Sequence, residues 1–174
     1  MRIREATRAD AHAIAALHAD SWRKTYRGAY SDEYLDNLVF EDRQRVWQER
    51  LSAPLPNQYV VVAEQNGEIA SFACAYGERD AQLGTLLDNL HVRSNYHGSG
   101  IGRRLLIEIA EWSSRKYGKL GLWLGVLEQN QNAQRFYQKL GAIDVGGRVV
   151  NPPGGGSTLA RNYAWTADQV AELA

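Results

Sequence analysis

The chain has 174 residues, 44% of them hydrophobic, and its 20 Lys plus Arg balance 20 Asp plus Glu for a formal net charge of zero. That length suits one domain over residues 1–174 with a real core, and the balanced charge gives no electrostatic footprint for nucleic acid or an anionic membrane. No apolar run approaches the ~20 residues of a membrane span, the opening MRIREATRADAHAI lacks a signal-peptide pattern, and the single cysteine, Cys74, has no partner for an internal disulfide, so a reducing, cytoplasmic setting is expected.

MRIREA reads as a first strand. From about Asp10 to Asp20, Ile14, Leu17 and several alanines recur at helical spacing. Ser31 before DEYLDNL is placed as an N-cap, with acidic residues in the first turn where the helix dipole favours them. A third helical stretch, EDRQRVWQERL, stops near Pro54 and Pro56. QYVVVAEQNGEIASFACAY then gives two β-rich runs joined by Asn66-Gly67, a hairpin signal. Cys74 sits in the second run, and a buried structural thiol explains it better than a nucleophile does.

TLLDNLHV is a further strand whose alternation fails between Leu87 and Leu90. A β-bulge around Asp88-Asn89 would repair it, and burial on both faces would excuse it. Next, NYHGSGIGRRLL sets Gly98, Gly100 and Gly102 at alternate positions where the strand feeds a helix. That helix carries Ile101, Leu105, Ile109 and Trp112 on one stripe. KLGLWLGV, from Lys119, is apolar on both faces and reads as a central strand. Asn130 to Leu140 forms another helix, stopped by Gly141 in the C′ position. AIDVGGRVV and TLARNYAW are the last strands, joined by NPPGGGS, and Thr166 with Gln169 makes a capping box for a short final helix. No internal repeat is present.

The run from Val92 through the glycines to Leu120 has βαβ form, which sets a helix N-terminus at a strand end. Free N–H groups and the positive end of the helix dipole suit phosphate there. The dinucleotide pattern G-x-G-x-x-G fails, because Arg103 and Leu105 stand where the last glycine would be, and no Walker sequence exists. A pyrophosphate loop of an acetyltransferase and a closely packed glycine turn both remain open on these residues alone.

The loop resembles the signature of the GNAT superfamily of N-acetyltransferases, Q/R-x-x-G-x-G/A opening a helix after the fourth strand. HGSGIG fills it through Gly100 and Gly102, with His97 in place of Gln or Arg. A second element, V-x-x-x-N-x-x-A-x-x-x-Y-x-K-x-G-F, is matched by Val126, Asn130, Ala133, Tyr137, Lys139 and Gly141, with Ala142 in place of Phe. The likeness extends over nearly the whole chain. It implies an α/β (α+β) fold: a mixed, mostly antiparallel twisted sheet flanked by helices, whose parallel fourth and fifth strands splay apart around acetyl-CoA.

Carried onto this chain, the resemblance puts the pantetheine arm on the backbone of Leu90, His91 and Val92, with the Val92 N–H facing the thioester oxygen. His97, Gly98, Ser99, Gly100, Ile101, Gly102, Arg103 and Arg104 would surround the pyrophosphate. Asn130, Ala133, Phe136 and Tyr137 would flank the cofactor. Tyr137 would also protonate the departing thiolate, since a phenol stays protonated at neutral pH. Asp88, acting through water, and His91 are the candidate bases. Trp22, Tyr26, Tyr30 and Tyr34 are candidates to wall the acceptor site. The acceptor would be a small-molecule or peptide amine, with homodimerisation left open. No His pair has helical metal-ligand spacing, so no metal is expected. Two rivals remain: a non-catalytic acyl-CoA-binding sensor or interaction domain, and a plain nucleotide-binding domain.

Overall fold

The computed structural model describes residues 1–118 and 120–173. Lys119, where the sequence reading starts a strand, and Ala174, the last residue of the expected domain, lie outside the described residues. Seven strands form one sheet in the order β1-β2-β3-β4-β5-β7-β6: β1 (Arg2–Glu5), β2 (Gln58–Gln65), β3 (Glu68–Asp80), β4 (Gly84–Val92), β5 (Leu122–Leu127), β6 (Ile143–Val150) and β7 (Thr158–Trp165). All neighbours are antiparallel except β4 and β5. This is the mixed, mostly antiparallel α/β sheet expected.

The hairpin at Asn66-Gly67 has positive φ at both residues (54° and 80°) and pairs Gln65 with Glu68, the geometry of the favoured two-residue turn. On β2 the side chains of Val60 and Val62 enter one core and those of Val61 and Ala63 the opposite one. A strand in the middle of a two-layer α/β sheet is therefore apolar throughout.

The helices divide between the faces. α1 (Ala11–Thr25) and α2 (Val39–Ser52) cover one, packing Ile14, Leu17 and Trp47 on Val60, Val62 and Phe72. α3 (Ile101–Tyr117) and α5 (Ala167–Leu173) cover the other, with Leu105, Leu106, Ile109 and Val170 in that core. α4 (Gln131–Lys139) joins β5 to β6.

Two expectations need correction. α1 continues past Asp20 to Thr25, because Ser21, Trp22 and Thr25 keep the helical path. The two helical stretches after Ser31 are not separate: a π-helical turn, Tyr34–Leu38, runs directly into α2. Ser31 does cap the segment, its Oγ accepting from the Tyr34 N–H at 3.2 Å. The wider π turn brings Tyr34 and Leu35 into a small core with Trp22 and Val39.

The bulge in β4 is present. Cys74 pairs with Asn89 and Ala75 with Leu87, which leaves Asp88 as an extra residue. Leu87, Leu90 and Val92 consequently share the α3 face, which accounts for the broken alternation. At the chain's end, Thr166 N–H donates to Gln169 Oε1 (2.9 Å) and Gln169 N–H to Thr166 Oγ1 (3.3 Å), the reciprocal bonds of the capping box.

Candidate active site

The parallel pairing of β4 with β5 covers only Thr85 with Leu122 and Leu86 with Trp123. Beyond it the strands part and open a cleft of about 1270 Å³. The bulge decides which backbone groups face that gap. Before it, the Thr85 N–H bonds Gly121 O beside β5, so odd-numbered residues point toward β5. After it, Arg93 N–H bonds Ala70 O on β3, and the His91 carbonyl accepts from Ser71 Oγ. Odd-numbered residues now point toward β3, and by alternation the N–H and C=O of Leu90 and Val92 face the gap. One inserted residue has inverted the pattern.

The mouth of the cleft is the glycine loop. Gly98 and Gly100 have φ of 78° and 79°, and a Cβ at either would meet nothing within 4 Å. Their role is conformational, since this backbone region strains other residues. At Gly102 a Cβ would lie 3.5 Å from both Phe136 and Val92, two residues lining the cleft. The first-turn amides of Ile101, Gly102 and Arg103 have no intrahelical acceptor, whereas Arg104 N–H already bonds Gly100 O. His97 Nε2 lies 3.0 Å from Val92 O, tying the loop to the end of β4.

Unpaired amides, missing side chains and the Arg103 cation fit a pyrophosphate. Ser99 and Arg104 stand aside: Ser99 Oγ donates to Tyr96 O, and neither residue lines the cleft. On the far wall, Asn130 caps α4 by accepting from the Ala133 N–H, and Ala133, Phe136 and Tyr137 face inward. Tyr137 is buried, its edge toward Trp165, and its hydroxyl has no hydrogen-bond partner among the described residues. Burial raises its pKa, with Tyr26 adding to the effect.

The other half of the cleft lies over α1 and α2. His91 Nδ1 is 2.8 Å from Ser21 Oγ, and its ring stacks on Phe72. Burial, helped by the Arg43 charge, lowers its pKa to about 4. Below it, His18 is fully buried; Trp47 Nε1 donates to its Nδ1 at 3.0 Å, and its Nε2 has no partner. A tryptophan N–H can only donate, so the neutral His18 carries its proton on Nε2. Asp88 faces Arg50, which holds it at 2.7 Å and reaches Asn89 Oδ1 at 3.0 Å. Trp22, Tyr26 and Tyr30 line the cleft, but Tyr34 is withdrawn into the core with its hydroxyl on Asp42. Among the described residues, no three His, Cys, Asp or Glu side chains form a metal-ligating group.

Several cleft residues escape the sequence reading. Gln129 Nε2 donates to the carbonyls of Thr25 and Arg27, fastening the β5–α4 turn to the end of α1. Arg43, Trp47 and Arg50 stand at i, i+4 and i+7 on α2. That stripe pairs two arginines with a buried tryptophan, a signal that was available in the sequence.

A parallel strand pair splayed beside a glycine-opened helix, with an inward amide and a buried phenol, is the architecture of an acyl-transferring enzyme. The model of the acetyltransferase (GNAT) family matches residues 13–142, and the chain belongs to that family. It is 30% identical over 146 residues to the L-amino acid N-acyltransferase MnaT of Escherichia coli (strain K12), covering 82% of this chain and 80% of that one. It is 28% identical to the spermidine N(1)-acetyltransferase of Thermoplasma acidophilum, over 81% and 87% of the two chains. Among solved structures, yncA of Salmonella typhimurium with its cofactor acetyl-CoA superposes with a TM-score of 0.68 at 23% identity, over 97% of this chain and 94% of that one.

Proposed function

We propose that the protein transfers the acetyl group of acetyl-CoA to a primary amine by direct attack in a ternary complex. The observation that carries this reading is the gap between β4 and β5, with the Val92 N–H turned into it and the free α3 amides at its mouth. Acetyl-CoA supplies a thioester carbonyl that an amine can attack. The amides of Ile101, Gly102 and Arg103 would hold the pyrophosphate. The backbone of Leu90 and Val92 would hold the extended arm as a neighbouring strand would. The Val92 N–H would donate to the thioester oxygen as charge develops there.

Tyr137 would give the departing sulfur its proton, and burial keeps that phenol protonated at neutral pH. An alkylammonium of pKa ~10.4 costs roughly 4 kcal/mol to deprotonate at neutral pH, so a proton acceptor is needed. Asp88 is engaged by Arg50. His91, neutral at pH 7 and bonded to Ser21, is the acceptor we favour. A weak base suffices once the C–N bond is forming, because the nitrogen's acidity rises with it. Cys74 is unsuited to an acetyl-enzyme step: it is buried in the core on the α1 and α2 side, with its pKa pushed up to about 12 by that burial.

The test is thiol release from acetyl-CoA with a panel of amines, with the N-acetyl product identified by mass spectrometry. Amine-dependent release supports the reading. Binding of acetyl-CoA without release, for every amine offered, would overturn it.

A further inference from the structure

We infer that the amine acceptor carries an anionic group, a carboxylate or its equivalent, and that Arg43 receives it. This rests on the acetyl-transfer reading and narrows its substrate. Relatives named for amino acids and for spermidine point in opposite directions, and the charges in the cleft separate the two.

Among the described residues, Asp88 is the only carboxylate lining the cleft, against six lysines and arginines. Arg103 and Arg135 belong to the end of the cleft formed by α3 and α4. At the other end, Arg50 uses Asp88 (2.7 Å) and Lys24 uses Asp20 (2.8 Å). Arg43, which shares Asp42 with Tyr34 and Arg45, and Arg148 at the exposed rim have no carboxylate of their own in the cleft. A polyamine needs carboxylates for its second and third cations and would find none unpaired here.

Arg43 is built into the wall rather than lying on the surface. Its side chain is only 12% exposed, and its guanidinium lies 4.4 Å over the Trp22 ring. Nη2 donates to Asp42 at 2.7 Å, but that carboxylate also serves the Tyr34 hydroxyl (2.5 Å) and Arg45 (2.9 Å). Nε is buried without an acceptor, and Nη1 has none among the described residues. A guanidinium has five donors in a fixed fork, and leaving buried donors idle is costly. A ligand carboxylate at Nη1 would give that donor a charge-assisted partner.

The location also fits. Trp22, under Arg43, meets His18 edge-on at 4.6 Å, and His18 meets His91 at 4.5 Å. The Trp22 ring beneath the anchor thus stands two ring contacts from His91, the residue between Leu90 and Val92. Trp22 and Tyr30, 5.1 Å apart, with Tyr26 beside them, offer an aromatic wall to the rest of the acceptor. An α-amino acid meets all of these demands: acid on Arg43, side chain on the aromatics, amine toward the gap.

The experiment compares L-leucine, L-methionine and L-phenylalanine with their carboxamides and with spermidine, at saturating acetyl-CoA. The acids are expected to exceed the amides by about 10- to 100-fold in kcat/KM, mainly through KM, as a charge-assisted pair would give. Spermidine should fall below both. Arg43→Gln should collapse the acid-to-amide ratio toward one, and Arg43→Lys should leave an intermediate ratio. If Arg43→Gln does not fold, the wild-type and Arg43→Lys ratios decide. Amides or spermidine matching the acids, or a ratio that survives Arg43→Gln, would overturn the inference. If no amine is acetylated, the acetyl-transfer reading fails by itself. Calorimetric titration of the same acids and amides into the CoA-loaded protein then decides the charge preference: tighter binding of the acids sustains it, and equal or no binding refutes it.

Discussion

Replacing Gly102 with alanine should push apo stability and cofactor affinity in opposite directions. Gly102 sits in the first turn of α3 without the positive φ of Gly98 and Gly100. A Cβ there would make ordinary contacts, at 3.5 Å, with Phe136 and Val92. The methyl group therefore fits, and exchanging glycine for alanine in a helix gains up to about 1 kcal/mol. For a chain of this size that raises Tm by roughly 1–4 °C. The same methyl group lies between two cleft-lining residues, where we place the approach of the pyrophosphate. Losing close contact with one charge-assisted amide should weaken CoA binding by about 10- to 100-fold. Differential scanning calorimetry of the apo protein and isothermal titration with CoA read the two effects separately. Unchanged CoA affinity in Gly102→Ala would remove the loop from the cofactor site, and a lower apo Tm would refute the packing argument. Gly100 is a poorer probe, because a side chain at φ 79° adds backbone strain of about 1–2 kcal/mol to any ligand effect.

Tyr137→Phe should slow the chemical step in single-turnover kinetics by ~10²–10⁴-fold while CoA affinity stays within a few-fold; a step within about twofold of wild type would remove the hydroxyl from the mechanism. Deleting Asp88 should restore regular β3–β4 pairing while Leu90 and Val92 keep their partners Ala73 and Ser71, so the Val92 N–H still faces the gap and a folded deletion variant should retain turnover. Loss of the chemical step in a folded deletion variant would show that the Asp88 carboxylate itself takes part in the reaction. Stability should fall as pH drops from about 6.5 to about 4, because His91 titrates near 4 in the fold and near 6.5 when unfolded. The unfolded state then binds the extra proton, for a loss on the order of 3 kcal/mol, with His18 acting in the same direction. Urea denaturation at the two pH values tests this: His91→Gln should flatten the dependence, and an equally steep slope in that variant would exclude His91 as its source.

Much of this site was legible because it depends on local chemistry. The Leu87–Leu90 spacing gave the bulge, alternate glycines marked the turn that opens α3, and Asn130 with Gly141 marked both ends of α4. What escaped depends on tertiary packing. Nothing local distinguishes Tyr34, drawn into the core by the π turn, from Tyr26 and Tyr30, which reach the cleft. The insertion of β7 between β5 and β6 is a long-range pairing that no turn signal encodes. Arg43 and Arg50 looked like ordinary charges on an amphipathic helix, and only the packing of α2 on the sheet shows that they line the cleft. His18 carried no motif at all, and its place beneath His91 follows from how α1 crosses β3 and β4.

The most direct measurement is an amide-resolved NMR titration of the uniformly ¹⁵N-labelled protein with acetyl-CoA. The account predicts that the amides of Val92, Ile101, Gly102 and Arg103 shift together and saturate at one ligand concentration, while those of β1 and of the exposed β6 edge stay still. Saturable shifts elsewhere, with Val92 and the first turn of α3 unmoved, would contradict it.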